Sequence, residues 1–274
     1  MAMSDLRISG IRLVCRDLPR SIRFYHEAFG CVFIGAETAD LTNGAEIALG
    51  RQRLHLVPAR AEGAGGRSPE ARDGPPVSNA TGFQHLAIVV SNMDDAMRQL
   101  ERSADWEPIS SDGPERLPDA SGGATAFKFR DPDGHPLEFL QFPPDAVPER
   151  WQDLSAPGPC LGIDHSAITV ADVDRAIRFY KGLGFRQGER QRNIGAEQGR
   201  MDGLGNYATC DVVALRPPCD HAPHLELLGY VAPRTVEIPV PDGSPFATTL
   251  LLTGTGRNPE YLRDPDGHRI ERLA

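Results

Sequence analysis

The sequence predicts an α+β fold assembled from four related modules, and three observations predict it. The segments 165-HSAITVADVDRAIRFYKGLGF and 85-HLAIVVSNMDDAMRQLERSAD share one pattern: a His, an apolar run, an Asp or Asn, then a helical period. A third copy, 10-GIRLVCRDLPRSIRFYHEAFGCVF, carries Gly10 where the others carry His85 and His165. A second repeat, 129-FRDPDGHPLEFL and 262-LRDPDGHRIERL, closes two of the modules.

Each copy obeys the same local chemistry. Runs of about seven residues rich in Ile, Val and Leu suit strands. Asp17, Asn92 and Asp172 then stand where a side-chain oxygen can accept the first free N–H groups of a helix. Ile22, Tyr25 and Phe29 line one face of the first helix, as Ala176, Ile177 and Tyr180 line the later one, so both tyrosines read as core residues. Gly30 and Gly184 supply the left-handed residue that ends a helix. DPDG is a tight-turn sequence joining two strands, with His135 and His268 reading as structural parts of the turns. In the strand that follows, Glu138 and Leu140 face one side, Leu137 and Phe139 the other. The other two copies end in 54-LHLVP and 224-HLELLGY.

The modules are therefore 7–58, 82–143, 162–230 and 245–274. Thr248 to Thr253 reads as the first strand of the fourth, and no amphipathic helix follows it before the turn. Pairing modules with their sequence neighbours gives domains 1–145 and 161–274, joined by a Pro-bearing linker at 146–160. The stretch 59–81, rich in Gly, Pro and Ala, reads as a second linker.

Composition narrows the function classes. A net charge of −9 without any Lys/Arg run argues against nucleic acid or an anionic membrane surface as partner. No apolar stretch is long enough to span a bilayer, and the N-terminus lacks the pattern of a signal peptide. Five scattered cysteines with no CxxC pair read as reduced thiols. The expectation is a cytoplasmic protein acting on a small molecule. The short fourth module leaves a homodimer open.

The stretches HLAIVV, HSAITV, 128-KFRDPDGHPLEFL and LELLGY together resemble the vicinal-oxygen-chelate superfamily, over nearly the whole chain. That superfamily includes glyoxalase I, methylmalonyl-CoA epimerase, extradiol dioxygenases and bleomycin-resistance proteins. The resemblance implies paired βαβββ modules curling into U-shaped clefts, with metal ligands on the first and last strand of each module. Those positions hold Gly10, His85, His165 and, by aligning ATTLLL with HLAIVV, Ala247 on first strands. On last strands they hold His55, Glu138, Glu226 and Glu271. With neighbouring modules paired, one half offers His55, His85 and Glu138, and the other His165, Glu226 and Glu271. Either set suits one divalent ion (Zn, Ni, Mn, Co or Fe) with positions left for solvent and substrate. A strand-initial His that merely satisfies backbone groups is the plain structural alternative.

Fold alone does not decide the reaction. An extradiol dioxygenase of this kind takes a His from both first strands of a half, and Gly10 and Ala247 deny it one in each, so ring cleavage is the second reading. The first is a metal-dependent glyoxalase- or epimerase-like lyase or isomerase acting on a small oxygenated substrate. In it Glu138, or Glu226 or Glu271 in the other half, moves the proton. A third reading, metal-free binding of a small molecule as in drug resistance, predicts an aromatic-lined cleft, and Trp106 and Trp151 both lie off the module strands. Arg116, Gln198 and Arg200 are candidate substrate contacts. The loop group Cys219, His221 and His224 is a weaker metal candidate.

Overall fold

The computed structural model describes residues 5–35, 41–59, 75–152, 156–219, 223–238, 240, 244, 246–254 and 258–273. Most of the linker 59–81 and His221 lie outside the described residues. Module one comprises β1 (Arg7–Cys15), α1 (Leu18–Phe29), β2 (Val32–Ile34), β3 (Ala45–Leu49) and β4 (Gln52–Pro58). Module two comprises β5 (Gln84–Val90), α2 (Met93–Glu101), the short β6 (Glu107–Pro108) and β7 (Glu115–Arg116), β8 (Thr125–Arg130) and β9 (Pro136–Gln141). Module three comprises β10 (Cys160–Thr169), α3 (Val173–Leu183), β11 (Arg186–Gly195), α4 (Ala196–Met201), β12 (Ala208–Arg216) and β13 (His224–Ala232). Module four comprises β14 (Thr248–Thr253), β15 (Glu260–Arg263) and β16 (Arg269–Arg272). Among the described residues no helix separates β14 from β15, and none anywhere is long and apolar enough to cross a membrane.

The helix signals act as their chemistry requires. Asp17, Asn92 and Asp172 accept from the backbone N–H of Arg20, Asp95 and Arg175 at 3.0, 2.9 and 2.9 Å. Gly30 and Gly184 end α1 and α3 at φ of 73° and 111°.

The sheets correct the pairing of modules. One sheet runs β15-β16-β14-β1-β4-β3-β2 and so joins module one to module four. The other runs β11-β12-β13-β10-β5-β9-β8-β6 and joins module two to module three. Neighbours in sequence therefore sit in different sheets. The free edge of β5 needs backbone partners, and β10 supplies them, antiparallel, along its length. β1 and β14 pair in the same way.

Sequence neighbours are instead stapled through a helix and a turn. The Tyr25 hydroxyl on α1 donates to Asp131 at 3.0 Å, and Ser21 donates to Asp133 at 2.7 Å, both in the module-two DPDG turn. His135 Nε2 lies 2.8 Å from the Val14 carbonyl oxygen. Modules three and four repeat the device with Tyr180 to Asp264 at 3.1 Å and His268 to the Thr169 carbonyl at 2.9 Å. Both tyrosines and both turn histidines thus serve the core, as the sequence suggests. Phe29 of α1 packs edge-on against Phe139 of β9 at 5.8 Å, so one apolar core runs beneath both modules.

Candidate metal centre

Because modules two and three share a sheet, their four ligand positions face one cleft. Position on the strands follows from register. Glu138 stands beside Ala87, and Glu226 beside Ala167, each two residues past a first-strand His. On the central antiparallel pair His85 faces Ala167 and His165 faces Ala87, which brings the two imidazoles to 5.6 Å between ring centroids. His85, Glu138, His165 and Glu226 all line a cavity of about 510 Å³. Both histidines are buried, 1% and 5% exposed. They form the floor of the cleft.

The donor atoms converge. Ligand-competent atoms of His85, Glu138 and His165 all lie within 4.8 Å of one another. His85 Nε2 is 2.8 Å from Glu138 Oε2 yet lacks hydrogen-bond geometry to it, and both ring nitrogens are buried without a hydrogen-bond partner. Two donors that sit close without pointing at each other fit a shared third atom. Glu226 Oε2 is 3.6 Å from His165 Nε2. Imidazole with carboxylate suits a divalent transition ion, and the donor set fits one.

The residues behind the donors set their protonation. Burial opposes charge on Glu138, but Lys128 and then His85 outweigh it and hold the carboxyl at about 2. Burial, reinforced by Lys128, lowers His85 and keeps it neutral. For His165 burial is outweighed by Glu226 and Asp164, which raise the imidazole to about 9. For Glu226 burial is outweighed by His165 and His224, leaving the carboxyl at about 2.

Three groups of this centre escape a reading of the ligand pattern alone. Lys128 is buried directly across from Glu138 in the β8–β9 ladder, 3.6 Å from Glu138 Oε2 and 2.6 Å from Asp202 Oδ1. Alternation along KFR would have placed it inward. His224 belongs to β13, not to a loop, and sits two residues before Glu226 on the same face, its Nε2 3.3 Å from Glu226 Oε1. The Cys219 group therefore gives way to a strand histidine of the cleft. Asp164 accepts from Arg150 at 2.6 Å and Trp151 Nε1 at 3.0 Å on Oδ1, with His165 Nδ1 3.0 Å from Oδ2. Asp164, His165 and His224 also approach within 4.8 Å. With its oxygens already engaged, Asp164 reads as the group that orients His165 rather than as part of a second ion site.

The predicted substrate contacts fall in different places. Gln198 is buried in the cleft wall, on the short helix α4. Its Nε2 donates to Asp202 at 2.6 Å and its Oε1 accepts from Asn193 at 3.0 Å. Asp202 can only accept, so it fixes the direction of both amides and leaves Asn193 Oδ1 as the unpartnered end. Arg200 is bidentate to Glu115 at 2.6 and 3.0 Å, and Arg116 pairs with Asp119 at 2.8 Å; neither lines the cleft.

His55 and Glu271 both lie in the other sheet, on β4 and β16. There Leu251 stands beside Glu271, so the first-strand position of module four is Thr249, two residues beyond the expected Ala247. The second cleft thus holds Gly10, Thr249, His55 and Glu271. Glu271 is engaged by the Arg12 guanidinium. Among the described residues, neither His55 nor Glu271 belongs to a group of three converging ligands.

Comparison with known proteins agrees with this architecture. The Glyoxalase/Bleomycin resistance protein/Dioxygenase superfamily matches residues 7–139 and 162–272. The lactoylglutathione lyase of Arabidopsis thaliana is 27% identical over 174 residues, covering 62% of this chain and 52% of that protein. The chain thus spans about half the length of the curated relatives it matches. Glyoxalase I from Zea mays superposes with a TM-score of 0.60 at 16% identity, over 98% of this chain and 92% of that chain. A Bacillus subtilis chain named as a dioxygenase gives 0.54 at 13% identity, over 97% and 84%. At such identities the two structures speak for the fold alone.

Proposed function

The chain belongs to the Glyoxalase/Bleomycin resistance protein/Dioxygenase superfamily, and from that premise we propose that it is a metal-dependent lyase or isomerase of the glyoxalase type, acting on a small oxygenated substrate. One observation carries the reading: two first-strand histidines and two last-strand glutamates, His85, His165, Glu138 and Glu226, line a single cleft.

His85, Glu138 and His165 would hold a divalent ion, which when bound would supply Lewis acidity toward substrate oxygens. The two carboxylates divide the remaining work. Glu138 is fixed by Lys128, and its side chain is 8% exposed. Glu226 is 21% exposed and carries no lysine partner, so it is the carboxylate placed to take a proton from a substrate carbon and return it to the next atom. His165 is the strongest influence depressing Glu226. Leu117, Leu140, Phe142 and Met201 give the cleft an apolar wall for the rest of the substrate.

The plant relatives' names make lactoylglutathione the first product to assay. The full chain, loaded in turn with Zn, Ni, Mn, Co and Fe, is incubated with methylglyoxal and glutathione, and thioester formation is followed. Turnover with at least one metal, abolished by E226Q, is the expected result. A second reading rests on His85, His165 and Glu138, a two-histidine, one-carboxylate set of the kind that serves non-haem iron oxygenases. The sheet pairing removes the sequence argument against it. Oxygen uptake with a catechol and Fe(II), without thioester formation, would overturn the lyase reading in its favour.

A further inference from the structure

The module-one/module-four sheet borders a second cavity whose charges differ from those of the first. Its cavity, about 390 Å³, is lined by Arg7, Gly10, Arg51, Arg53 and His55 among others. Where the catalytic cleft has Ala87 between ligand positions, the equivalent residue is Arg12, next to His55 on β4 and Thr249 on β14. Where Lys128 faces Glu138, Glu46 faces His55. His55 is lowered by burial, with Glu46 and Glu271 pulling it up and Arg12 and Arg53 pushing it down, so all four charged groups surround the imidazole. The His55 ring also occupies the space that a side chain at Gly10 would need, 2.9 Å from an added Cβ.

A guanidinium thus stands beside His55 where the other cleft has an alanine. Arg12 and Arg53 are matched by Glu271 and Glu46. Arg7 and Arg51 are exposed, and among the described residues neither has an ion-pair partner. Three arginines, Arg7, Arg51 and Arg53, therefore line one concavity with a single carboxylate, Glu46, in a chain whose net charge is −9. A concave surface of one sign concentrates counter-charge, and guanidinium forks match the geometry of oxoanions. We propose that this second cleft is a binding site for a small oxoanion, a carboxylate or a phosphate, recognised by Arg7, Arg51 and Arg53 instead of by a metal ion. The site does not depend on the reaction assigned to the other cleft.

The site also touches the catalytic one. Ile163 and Pro223 line it, and each precedes a residue of the catalytic cleft, Asp164 and His224. Gln52, another lining residue, accepts from the Ile163 backbone N–H at 3.2 Å. An anion seated here lies one residue from the group that orients His165.

Calorimetric titration of the full chain at low ionic strength, with inorganic phosphate and separately with acetate, tests the proposal. Saturable binding of at least one probe is expected, and the stronger of the two names the oxoanion class. The double variant R7Q/R51Q should weaken it at least about tenfold, and H165A should leave it unchanged. R51Q alone, at an exposed turn, must weaken binding if the double variant does not fold. The proposal is overturned by absence of saturable binding, by unchanged binding in the arginine variants, or by loss in H165A, which would put the anion in the catalytic cleft.

Discussion

Asp164 and His165 are consecutive residues of β10, yet His165 Nδ1 lies 3.0 Å from Asp164 Oδ2. Neighbours on a regular strand point to opposite faces. Here a bulge intervenes: Ile163 pairs with Ile88 and His165 with Ala87, leaving Asp164 as the extra residue. Bulges of this kind re-aim side chains. The freed carboxylate is clamped from the linker side by Arg150 and Trp151. His165 is thereby held with Nε2 toward Glu226.

The first prediction follows from that clamp. Loss of a group that orients a ligating histidine typically weakens metal binding about 10–100-fold. D164N should do so while leaving one metal per chain at saturation, and R150M should have a smaller effect in the same direction. Competition titration against a metal-binding dye measures both. Unchanged affinity in D164N would show that His165 needs no orienting partner.

The second concerns the metal-free protein and pH. His165 is raised to about 9, against about 6.5 for a free imidazole. A raised basic group gives stability that is complete below its unfolded value and is lost as pH climbs through the folded one. Metal-free protein should therefore lose stability between about pH 6.5 and 9, by on the order of 3 kcal/mol. Metal-loaded protein should be flatter over that window, because a ligated histidine is already neutral. Thermal unfolding of both forms across this range is the measurement, and parallel profiles would count against His165 as a ligand.

Lys128 carries the third prediction. It is a buried cation shared by Asp202 and Glu138. K128M removes the charge and leaves two buried carboxylates behind, a change that costs about 3–5 kcal/mol when one partner of a buried pair is deleted. Added metal should restore part of the loss, since a cation again neighbours Glu138. Urea unfolding with and without metal separates the two contributions. A variant as stable as the parent would mean that Glu138 needs no cation.

What could be read in advance was local. Asp17, Asn92 and Asp172 cap helices because capping is decided within four residues, and the DPDGH turns fold on their own chemistry. The candidate ligand positions at His85, Glu138, His165 and Glu226 came from the family resemblance, and strand alternation added only the face that Glu138 shares with Leu140. Their assembly could not be read in advance, because β5 and β10 are buried on both faces and nothing within either strand names its edge partner. The same long-range pairing moved the module-four position from Ala247 to Thr249. Asp164 was hidden for a different reason: a bulge exists only between two strands, and strict alternation turns that residue away from the cleft.

The last prediction tests how sequence neighbours are joined. The Tyr25 hydroxyl donates to Asp131 Oδ2, while Asp131 Oδ1 takes the backbone N–H groups of Asp133 and His135 at 2.9 and 2.8 Å. Burial raises the Asp131 carboxyl, so it is already poorly solvated when it accepts the hydroxyl. Y25F strips one bond from a buried acceptor and should cost about 1–3 kcal/mol. Y180F should cost a similar amount at Asp264, whose Oδ1 receives Asp266 and His268 in the same way. The two staples share no residue, so the double variant should lose close to the sum of the single losses. Metal affinity should hold in all three variants, because neither tyrosine lines the cleft of His85 and His165. Chemical denaturation of the four proteins decides the point. Single losses below about 0.5 kcal/mol would show that the modules are held by apolar packing alone, with the tyrosine hydroxyls incidental.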